Sequence, residues 1–371
     1  MAWLFAGATA HALPRAFTLV GMLGMRRQAT TLLASSVLAV GLFFVGISLP
    51  VPYVRLVPGP VTDTLGSSNG KPLIVIKGHD TAKTTGKIYL VTVGEFGGPG
   101  KNISAASVIS GWWDKTDAVV PRRVLYPPTV TEKQVEQQDT ADMDQSQVDA
   151  KIAALRYLGV KLQPGSEIST VEATSSGKGK LQLGDVIVGV DSAPVTSSDQ
   201  LLSVLKTHKV GDQVALHINR NGTAMSVEVT LQQPLKPGGT PSIGIGVLDS
   251  FAIPFEIDID LNNVGGPSAG MAFALGIIDK LSDGNLTGGH TIAGTGTIDA
   301  GGKVGVIGGV QQKMAGARSA GATVFLVPAG NCAEALKAVP RGLRLVKVST
   351  LSGAVDAIKA VRDGTGNVPS C

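Results

Sequence analysis

Ser268 and Lys313 are the two residues whose types and surroundings could carry out chemistry. Ser268 lies in Gly-Gly-Pro-Ser-Ala-Gly, directly before the apolar run MAFALGIIDKL. The run predicts a buried helix whose N-terminal N–H groups, close to Ser268, favour a developing negative charge. Lys313 begins a second predicted helix after Gly308-Gly309. An amine in apolar surroundings loses its charge more easily and can then accept a proton from a serine.

Each of these residues also has an ordinary structural explanation. A serine before a buried helix commonly caps the helix, and a lysine on a helix is usually solvated. The segments between them favour the chemical interpretation. Thr295-Gly296 comes first, followed by the hairpin-like stretch 299–304 and by Ile307-Gly308-Gly309-Val310. Thr295 precedes Lys313 by 313 − 295 = 18 positions.

With these motifs in this order, the chain resembles the proteolytic domain of Lon proteases over roughly residues 253–361. The resemblance implies that Ser268 is the nucleophile and Lys313 the general base, with Thr295 hydrogen-bonded to the lysine. Two positions depart from the family pattern. Gly265 stands where many Lon proteases have an acidic residue, and Thr297 stands where many have glutamate. The first departure leaves the lysine without one possible charged partner.

Residues 159–232 form a unit of their own. The stretch LGDVIVGVD predicts a strand after a tight turn, and Ser197 with Gln200 forms a capping-box pattern before an apolar helix. Asn221-Gly222 predicts a hairpin turn between two alternating strands. These features resemble a bacterial-type PDZ domain, a class that binds peptides by strand addition.

Three residues at the start of this unit have two interpretations. In the PDZ resemblance, Leu158, Gly159 and Val160 correspond to the loop that receives a peptide carboxylate. Alternatively, Leu158-Gly159 ends the helix predicted over residues 145–158.

An uncharged stretch of 20 residues, Thr30–Leu49, is long enough to span a bilayer as a helix. Arg15, Arg26 and Arg27 precede it, and Arg55 follows closely. The positive-inside rule then predicts a cytoplasmic segment over residues 1–29, a membrane helix over 30–50 and an extracytoplasmic remainder. A cleaved signal peptide is the alternative. The run is long for a signal peptide, and its end is a poor cleavage site, so we favour the anchor.

The composition excludes several classes of function. The 371 residues are 43% hydrophobic with 48 glycines, which is typical of a β-rich or α/β protein. Basic residues are scattered and the net charge is +4, which argues against nucleic-acid binding. The histidines and cysteines lack metal-ligand spacing, and no P-loop motif occurs, so we expect no metal, no cofactor and no ATP use. Cys332 and Cys371 could form one disulfide outside the cytosol.

We expect an α+β fold in several parts. Residues 51–158 would be a β-rich segment and a helix belonging with the Lon-like part, and the PDZ unit of 159–232 would be inserted before the proteolytic part of 240–363 and a tail of 364–371. The polar stretch 130–145 predicts an exposed loop or a helix start. Trp112 and Trp113, on a short predicted helix, favour packing in a core, with a membrane surface or a neighbouring subunit as alternatives.

From Thr30 to the C-terminus, this arrangement resembles the membrane-anchored PDZ–Lon-like proteases of Gram-positive and actinobacterial cells. The resemblance implies an ATP-independent serine endopeptidase that touches the bilayer through residues 30–50. Its PDZ domain would recruit or gate protein substrates, and the chain would assemble as a homo-oligomeric ring, a hexamer in such families. The alternative is a PDZ adaptor without catalysis on a degenerate Lon-like scaffold.

Overall fold

The computed structural model describes residues 16–68, 70–234, 239–261 and 264–371. The first helix, α1, spans Ala16–Ser48. Its segment Thr30–Ser48 has a mean hydropathy of 2.1, and none of it is buried. Its length and composition are those of a helix able to cross a membrane.

Short strands and helices fill the chain up to residue 157. They are β1 Pro50–Val51, β2 Tyr53–Asp63, β3 Ser67–Ser68, β4 Lys71–Pro72, β5 Ile74–Lys77, β6 Lys87–Phe96, β7 Ile103–Ser104, α2 Ala105–Trp113, β8 Ala118–Pro121, α3 Arg122–Leu125 and α4 Glu132–Tyr157.

The next elements form what we call the inserted unit, Gln163–Ala252. They are β9 Gln163–Val171, β10 Val186–Val190, β11 Ala193–Pro194, α5 Ser198–Leu205, β12 Gln213–Arg220, β13 Thr223–Thr230 and β14 Ile245–Ala252.

The remainder of the chain alternates strands and helices. Its elements are β15 Glu256–Ile259, α6 Gly270–Leu281, β16 Thr291–Gly294, β17 Thr297–Ile298, β18 Val304–Gly305, α7 Val310–Ser319, β19 Val324–Pro328, α8 Cys332–Ala335, β20 Arg344–Val348 and α9 Leu351–Asp363.

The main sheet has the strand order β20-β19-β16-β6-β2-β8. Strands β16, β19 and β20 run parallel to one another and to β6, whereas β2 is antiparallel to both of its neighbours. One face of this sheet packs against α4, α6 and α9, and the other packs against α7. Strands from before and after the inserted unit share one sheet, so the early β-rich segment belongs with the later part, in a mixed α+β fold.

The inserted unit has its own sheet, in the order β13-β12-β10-β9-β14, and its own apolar core. The predicted turn at Asn221-Gly222 has φ values of 50° and 85°, as a two-residue hairpin requires. Strand β14 pairs with β9 from Ile245↔Val171 to Ala252↔Gln163. The sheet of this unit therefore continues past the predicted boundary at residue 232 and takes in β14, which ends at Ala252.

For the polar stretch 130–145, helix α4 confirms the helix start and excludes the exposed loop. The helix is continuous over 26 residues from Glu132. Thr131 and Gln134 form a capping box at its start, with the Thr131 side chain accepting from the Gln134 N–H. Its mostly polar sequence is helical because residues in its second half, including Ala153 and Leu155, are buried in the main core.

The tryptophans on α2 are not core residues, so the core interpretation is wrong. Trp112 is 65% exposed and Trp113 is 85% exposed, whereas Val108 and Gly111 face inward on the same helix. Cys332 and Cys371 form a disulfide that joins the C-terminus to the start of α8.

Candidate active site

Ser268 and Lys313 meet although 45 positions separate them in sequence. The Lys313 Nζ lies 2.7 Å from the Ser268 Oγ. Ser268 is in a single 3-10 turn, Pro267–Ala269, that leads into α6, as the sequence predicts. Lys313 lies in the first turn of α7 and is only 4% exposed. The contact therefore joins the N-terminal turns of two helices that pack on opposite faces of the main sheet.

A glycine sets the start of α7. Gly309 is the N-cap and has a φ of 66°, a conformation that glycine adopts without strain. A Cβ at this position would lie 2.7 Å from a methyl group of Val93. The Gly308-Gly309 pair thus lets α7 begin close against β6, which brings Lys313 to the serine.

Thr295 completes the cluster that the Lon resemblance predicts. Its Oγ1 accepts a hydrogen bond from Lys313 Nζ at 3.1 Å and donates one to the Ser268 carbonyl oxygen at 3.1 Å. The neighbouring Gly296 N–H donates to the same carbonyl oxygen at 3.0 Å. The end of β16 therefore fixes both the amine and the backbone of the serine.

Burial lowers the pKa of Lys313 to about 8. Loss of solvation is the whole cause, and among the described residues no carboxylate offsets it. At neutral pH about a tenth of such amines are uncharged, a far larger share than for a solvated lysine. The amine can thus accept a proton from Ser268 near physiological pH.

Helix α4 fills the space left by the departure at Gly265. A Cβ on Gly265 would lie 2.6 Å from the Asp139 Cβ and 3.5 Å from the Asp139 Oδ2. Burial is the main cause that raises the pKa of this carboxyl, and repulsion from Asp142 adds to it. A carboxyl group thus stands beside Gly265, supplied by a helix that the sequence analysis described as a loop or helix start.

The loop that carries Ser268 is tied to α4 at two points. The Gly266 N–H donates to the Asp139 carbonyl oxygen at 2.9 Å. The buried Ser146 Oγ donates to the Pro267 carbonyl oxygen at 3.0 Å. Ser268 lies in the turn that leads into α6, where backbone N–H groups can stabilise an oxyanion.

A cleft of about 570 Å³ opens in front of the dyad. It is lined mainly by apolar side chains and backbone from β6 and from the segment before α7, including Val91, Val93, Val306 and Ile307. Strand β16 pairs with β6 only as far as Leu90. Among the described strands, β6 has no partner on that side from Val91 onward, so its edge faces the cleft.

Leu158, Gly159 and Val160 lie at the end of α4 instead of beside a peptide groove. The Gly159 N–H donates to the Arg156 carbonyl oxygen at 3.0 Å, and the Val160 N–H donates to the Leu155 carbonyl oxygen at 2.9 Å. Leu158 and Val160 pack against the main core. The carboxylate-loop prediction does not fit this arrangement, because the N–H groups that would bind the anion already form the helix cap.

Strand β14, which the sequence analysis assigned to the proteolytic part, is one of the two edge strands of the inserted unit's sheet, and β13 is the other. The Ser198 N–H at the start of α5 donates to Asp249 Oδ1 of β14 at 2.6 Å, so helix and edge strand are neighbours. Leu202 of α5 and Leu248 of β14 are 50% and 54% exposed. The sequence signal for this edge is the pair Ile245 and Val247, which pack against the core of the inserted unit.

Two family models match this chain. Residues 262–361 match the Lon protease (S16) C-terminal proteolytic domain, and residues 156–231 match a PDZ domain. The chain therefore contains a Lon-type proteolytic domain and a PDZ domain. The PDZ match covers the inserted unit from β9 to β13, and the dyad lies in the Lon-type domain. Within the described residues, no group of three or more His, Cys, Asp or Glu side chains could hold a metal ion.

Curated relatives match parts of the chain. Lon protease 2 of Bacillus subtilis (strain 168) is 34% identical over 110 residues, which cover 28% of this chain and 19% of that protein. The Lon protease of Mesomycoplasma hyopneumoniae (strain 232) is 35% identical over 102 residues, which cover 24% of this chain and 12% of that protein. Protease Do-like 8, chloroplastic, of Arabidopsis thaliana is 35% identical over 69 residues, which cover 18% of this chain and 15% of that protein. The chain spans less than a fifth of each of these relatives.

Among solved structures, this chain is similar to the PDZ domain of the SdrC-like protein of Listeria innocua. It is 26% identical in sequence, covers 22% of this chain and 92% of that domain, and has a TM-score of 0.21.

Proposed function

We propose that this protein is an ATP-independent serine endopeptidase that uses the Ser268–Lys313 dyad. The observation that carries the proposal is the 2.7 Å contact between Ser268 Oγ and a lysine that is 4% exposed. The buried location lowers the pKa of Lys313 to about 8, which suits a general base near neutral pH.

The reaction follows from this geometry. Neutral Lys313 accepts the Ser268 Oγ proton as the oxygen attacks a peptide carbonyl carbon, and the Ser268 N–H stabilises the resulting oxyanion. The lysine ammonium then returns the proton to the leaving amine as the C–N bond breaks. Water attacks the acyl-enzyme with Lys313 again as the base, which releases the acid and restores the serine. Thr295 keeps the amine aligned throughout.

The cleft supports an extended peptide as the substrate. Backbone groups of β6 beyond Leu90 face the cleft without a strand partner among the described strands. An unfolded segment could add there as a strand, so that its scissile bond passes Ser268. Compact folded proteins do not offer such a segment, so we expect flexible regions to be cut.

In this proposal the PDZ domain recruits or gates protein substrates. The open edge of β14 beside α5 is the place where an added peptide strand would bind. Leu202 and Leu248, each about half exposed, would receive its apolar side chains.

We further propose that α1 anchors the chain in a membrane with the catalytic part outside the cytoplasm. The excess of arginine before the apolar stretch supports this orientation. The disulfide between Cys332 and Cys371 also supports it, because such bonds persist in oxidising compartments. Protease added to intact spheroplasts should digest the part after Pro50, and full protection until lysis would reverse the orientation. The resemblance to Lon-type domains is what supports a homo-oligomeric ring, a hexamer.

A peptidase assay tests the catalytic proposal. We expect Ser268→Ala and Lys313→Met to lower kcat by roughly 10³-fold or more, by analogy with the removal of single residues from serine protease triads. Ser319→Ala is the matched control, since Ser319 is exposed at the end of the helix that carries Lys313. Unchanged rates in the Ser268 variant would overturn the dyad mechanism, and a folded wild-type protein without peptidase activity would favour the adaptor without catalysis.

A further inference from the structure

The outer face of α2 is apolar and exposed. Ile109, Trp112 and Trp113 follow the i, i+3, i+4 spacing of one helix face and are 47%, 65% and 85% exposed. The opposite face, through Val108 and Gly111, packs inward. Two adjacent, exposed tryptophans on a folded domain indicate a surface that contacts something apolar.

This face begins where α1 ends. The Ala105 N–H, at the start of α2, donates to the Leu49 carbonyl oxygen at 3.0 Å. Strand β1 follows α1 directly and pairs with β7, with Pro50 opposite Ser104. Hydrogen bonds, and not a flexible linker, therefore connect α2 to the exit of α1.

A second short helix brings further apolar side chains to the same place. The Arg122 N–H, at the start of α3, donates to the Pro52 carbonyl oxygen at 3.0 Å. Val124 and Leu125 of this helix are 67% and 41% exposed. We call the exposed side chains around the end of α1 the exit patch. It consists of Ile109, Trp112, Trp113, Val124 and Leu125.

We propose that the exit patch lies in the interfacial layer of the phospholipid bilayer that α1 spans. This inference rests on the proposed anchoring, and it adds a second, lateral membrane contact. Tryptophan prefers this layer because its ring is largely apolar while its N–H can still reach water or a lipid headgroup. The ring of Tyr53 contacts Trp112 edge to face at a centroid distance of 6.4 Å, which places a second amphipathic ring there.

The short connection favours lipid over another protein as the occupant. Leu49 immediately follows α1 and is bonded to α2, so the patch cannot lie far from the membrane surface if α1 spans it. Exposed Lys115 and Arg123 flank the patch and can meet lipid phosphates, although the exposed Asp114 offsets part of this charge.

The contact between the exit patch and the bilayer would also fix the height of the catalytic cleft above the membrane surface. Gly94, which lines the cleft, pairs with Val57, and Val57 is 57 − 49 = 8 residues beyond Leu49. At about 3.3 Å per residue, the cleft lies within about 30 Å of the end of α1. A patch seated on the bilayer would hold the cleft at this height and prevent it from swinging away.

Depth-dependent quenching of tryptophan fluorescence tests the proposal in the full-length protein. Trp3→Phe leaves Trp112 and Trp113 as the emitting tryptophans. The protein is reconstituted in vesicles of phosphatidylcholine with some phosphatidylglycerol, with bromine placed either high or low on the acyl chain. We expect quenching that is stronger with the high bromine.

A matched control reports on α1 alone. In a background with phenylalanine at positions 3, 112 and 113, Phe43→Trp puts one tryptophan in the middle of the apolar stretch. We expect the low bromine to quench it most.

The two probes separate the possible failures. If Phe43→Trp is quenched while Trp112 and Trp113 are not, the anchor is inserted and the exit patch is not on the bilayer, which overturns the inference. The same conclusion holds if their emission is blue-shifted but unquenched, as burial against a second copy would produce. If neither probe is quenched, the anchoring proposal fails and the inference fails with it, while the peptidase proposal is unaffected.

Discussion

Ser146 on α4 holds the backbone of Pro267, the residue before the candidate nucleophile, through a 3.0 Å hydrogen bond from its Oγ. Ser146 is 3% exposed, so this bond is shielded from water. We expect Ser146→Ala to lower kcat about tenfold with little change in KM, because a small misplacement of a nucleophile mainly affects the chemical step.

The control for this prediction is Thr140→Ala, which removes an exposed hydroxyl from the same helix. Comparable kcat values for wild type and Ser146→Ala, with Ser146→Ala still folded by circular dichroism, would mean that the loop keeps its geometry without the Ser146 hydrogen bond.

The pH dependence of kcat/KM should follow the protonation of Lys313. The base must be neutral, and burial lowers the pKa of Lys313 to about 8. We therefore expect kcat/KM to rise with pH through a pKa near 8 and then to level off, as measured with a short fluorogenic peptide. If kcat/KM does not change with pH on either side of 8, Lys313 is excluded as the titrating base.

Lys313 should also lower the stability of the folded protein at neutral pH. Its pKa falls from 10.5 in the unfolded chain to about 8 in the folded one, so folding is opposed below pH 8 and this cost disappears as the pH rises toward 10.5. We expect Lys313→Met to raise the free energy of unfolding at pH 7 by about 1–2 kcal/mol, since lost hydrogen bonds offset part of the gain.

Denaturant unfolding at several pH values measures this effect. The advantage of the methionine variant should shrink as the pH approaches 10. A variant that is less stable than wild type at every pH would show that the hydrogen bonds of the amine outweigh the cost of its burial.

The open edge of β14 should affect protein substrates more than short peptides. We expect Leu202→Asp and Leu248→Asp to raise KM for a protein substrate severalfold, because each puts a charge where apolar side chains would bind. Cleavage of a short unstructured peptide should keep its normal kcat, since neither residue lies near the dyad.

Leu183→Asp provides the comparison, because Leu183 is a 67% exposed leucine of the same domain that lies outside α5 and β14. Equal effects of all three substitutions would indicate a general loss of PDZ stability and would argue against recruitment at this edge.

Local sequence patterns predicted the two helix starts that carry Ser268 and Lys313 but did not predict the edge strand β14, for physical reasons. The apolar run after Ser268 could only be a buried helix, and the glycines before Lys313 permit a close helix start, so the two helix N-termini were visible in the sequence. The pairing of β14 with β9 joins residues about 80 positions apart, and local alternation cannot specify a partner at that distance.

Helix α4 was missed in part because its first half is almost entirely polar, although the capping box at Thr131 and Gln134 was a usable signal. Its hydrogen bonds to the serine loop depend on tertiary packing. Leu158-Gly159-Val160 fits both a helix end and a peptide loop by residue type. The hydrogen bonds to the Leu155 and Arg156 carbonyl oxygens distinguish the two.

Covalent labelling with a peptidyl phosphonate, located by mass spectrometry of proteolytic fragments, tests the central claim most directly. The account predicts one modified residue, Ser268, in the wild-type protein and in Ser319→Ala. Labelling should be much slower in Lys313→Met, where the serine has no base. A wild-type protein that cleaves peptides but carries the label elsewhere, or that labels at the same rate without Lys313, would contradict the Ser268–Lys313 mechanism.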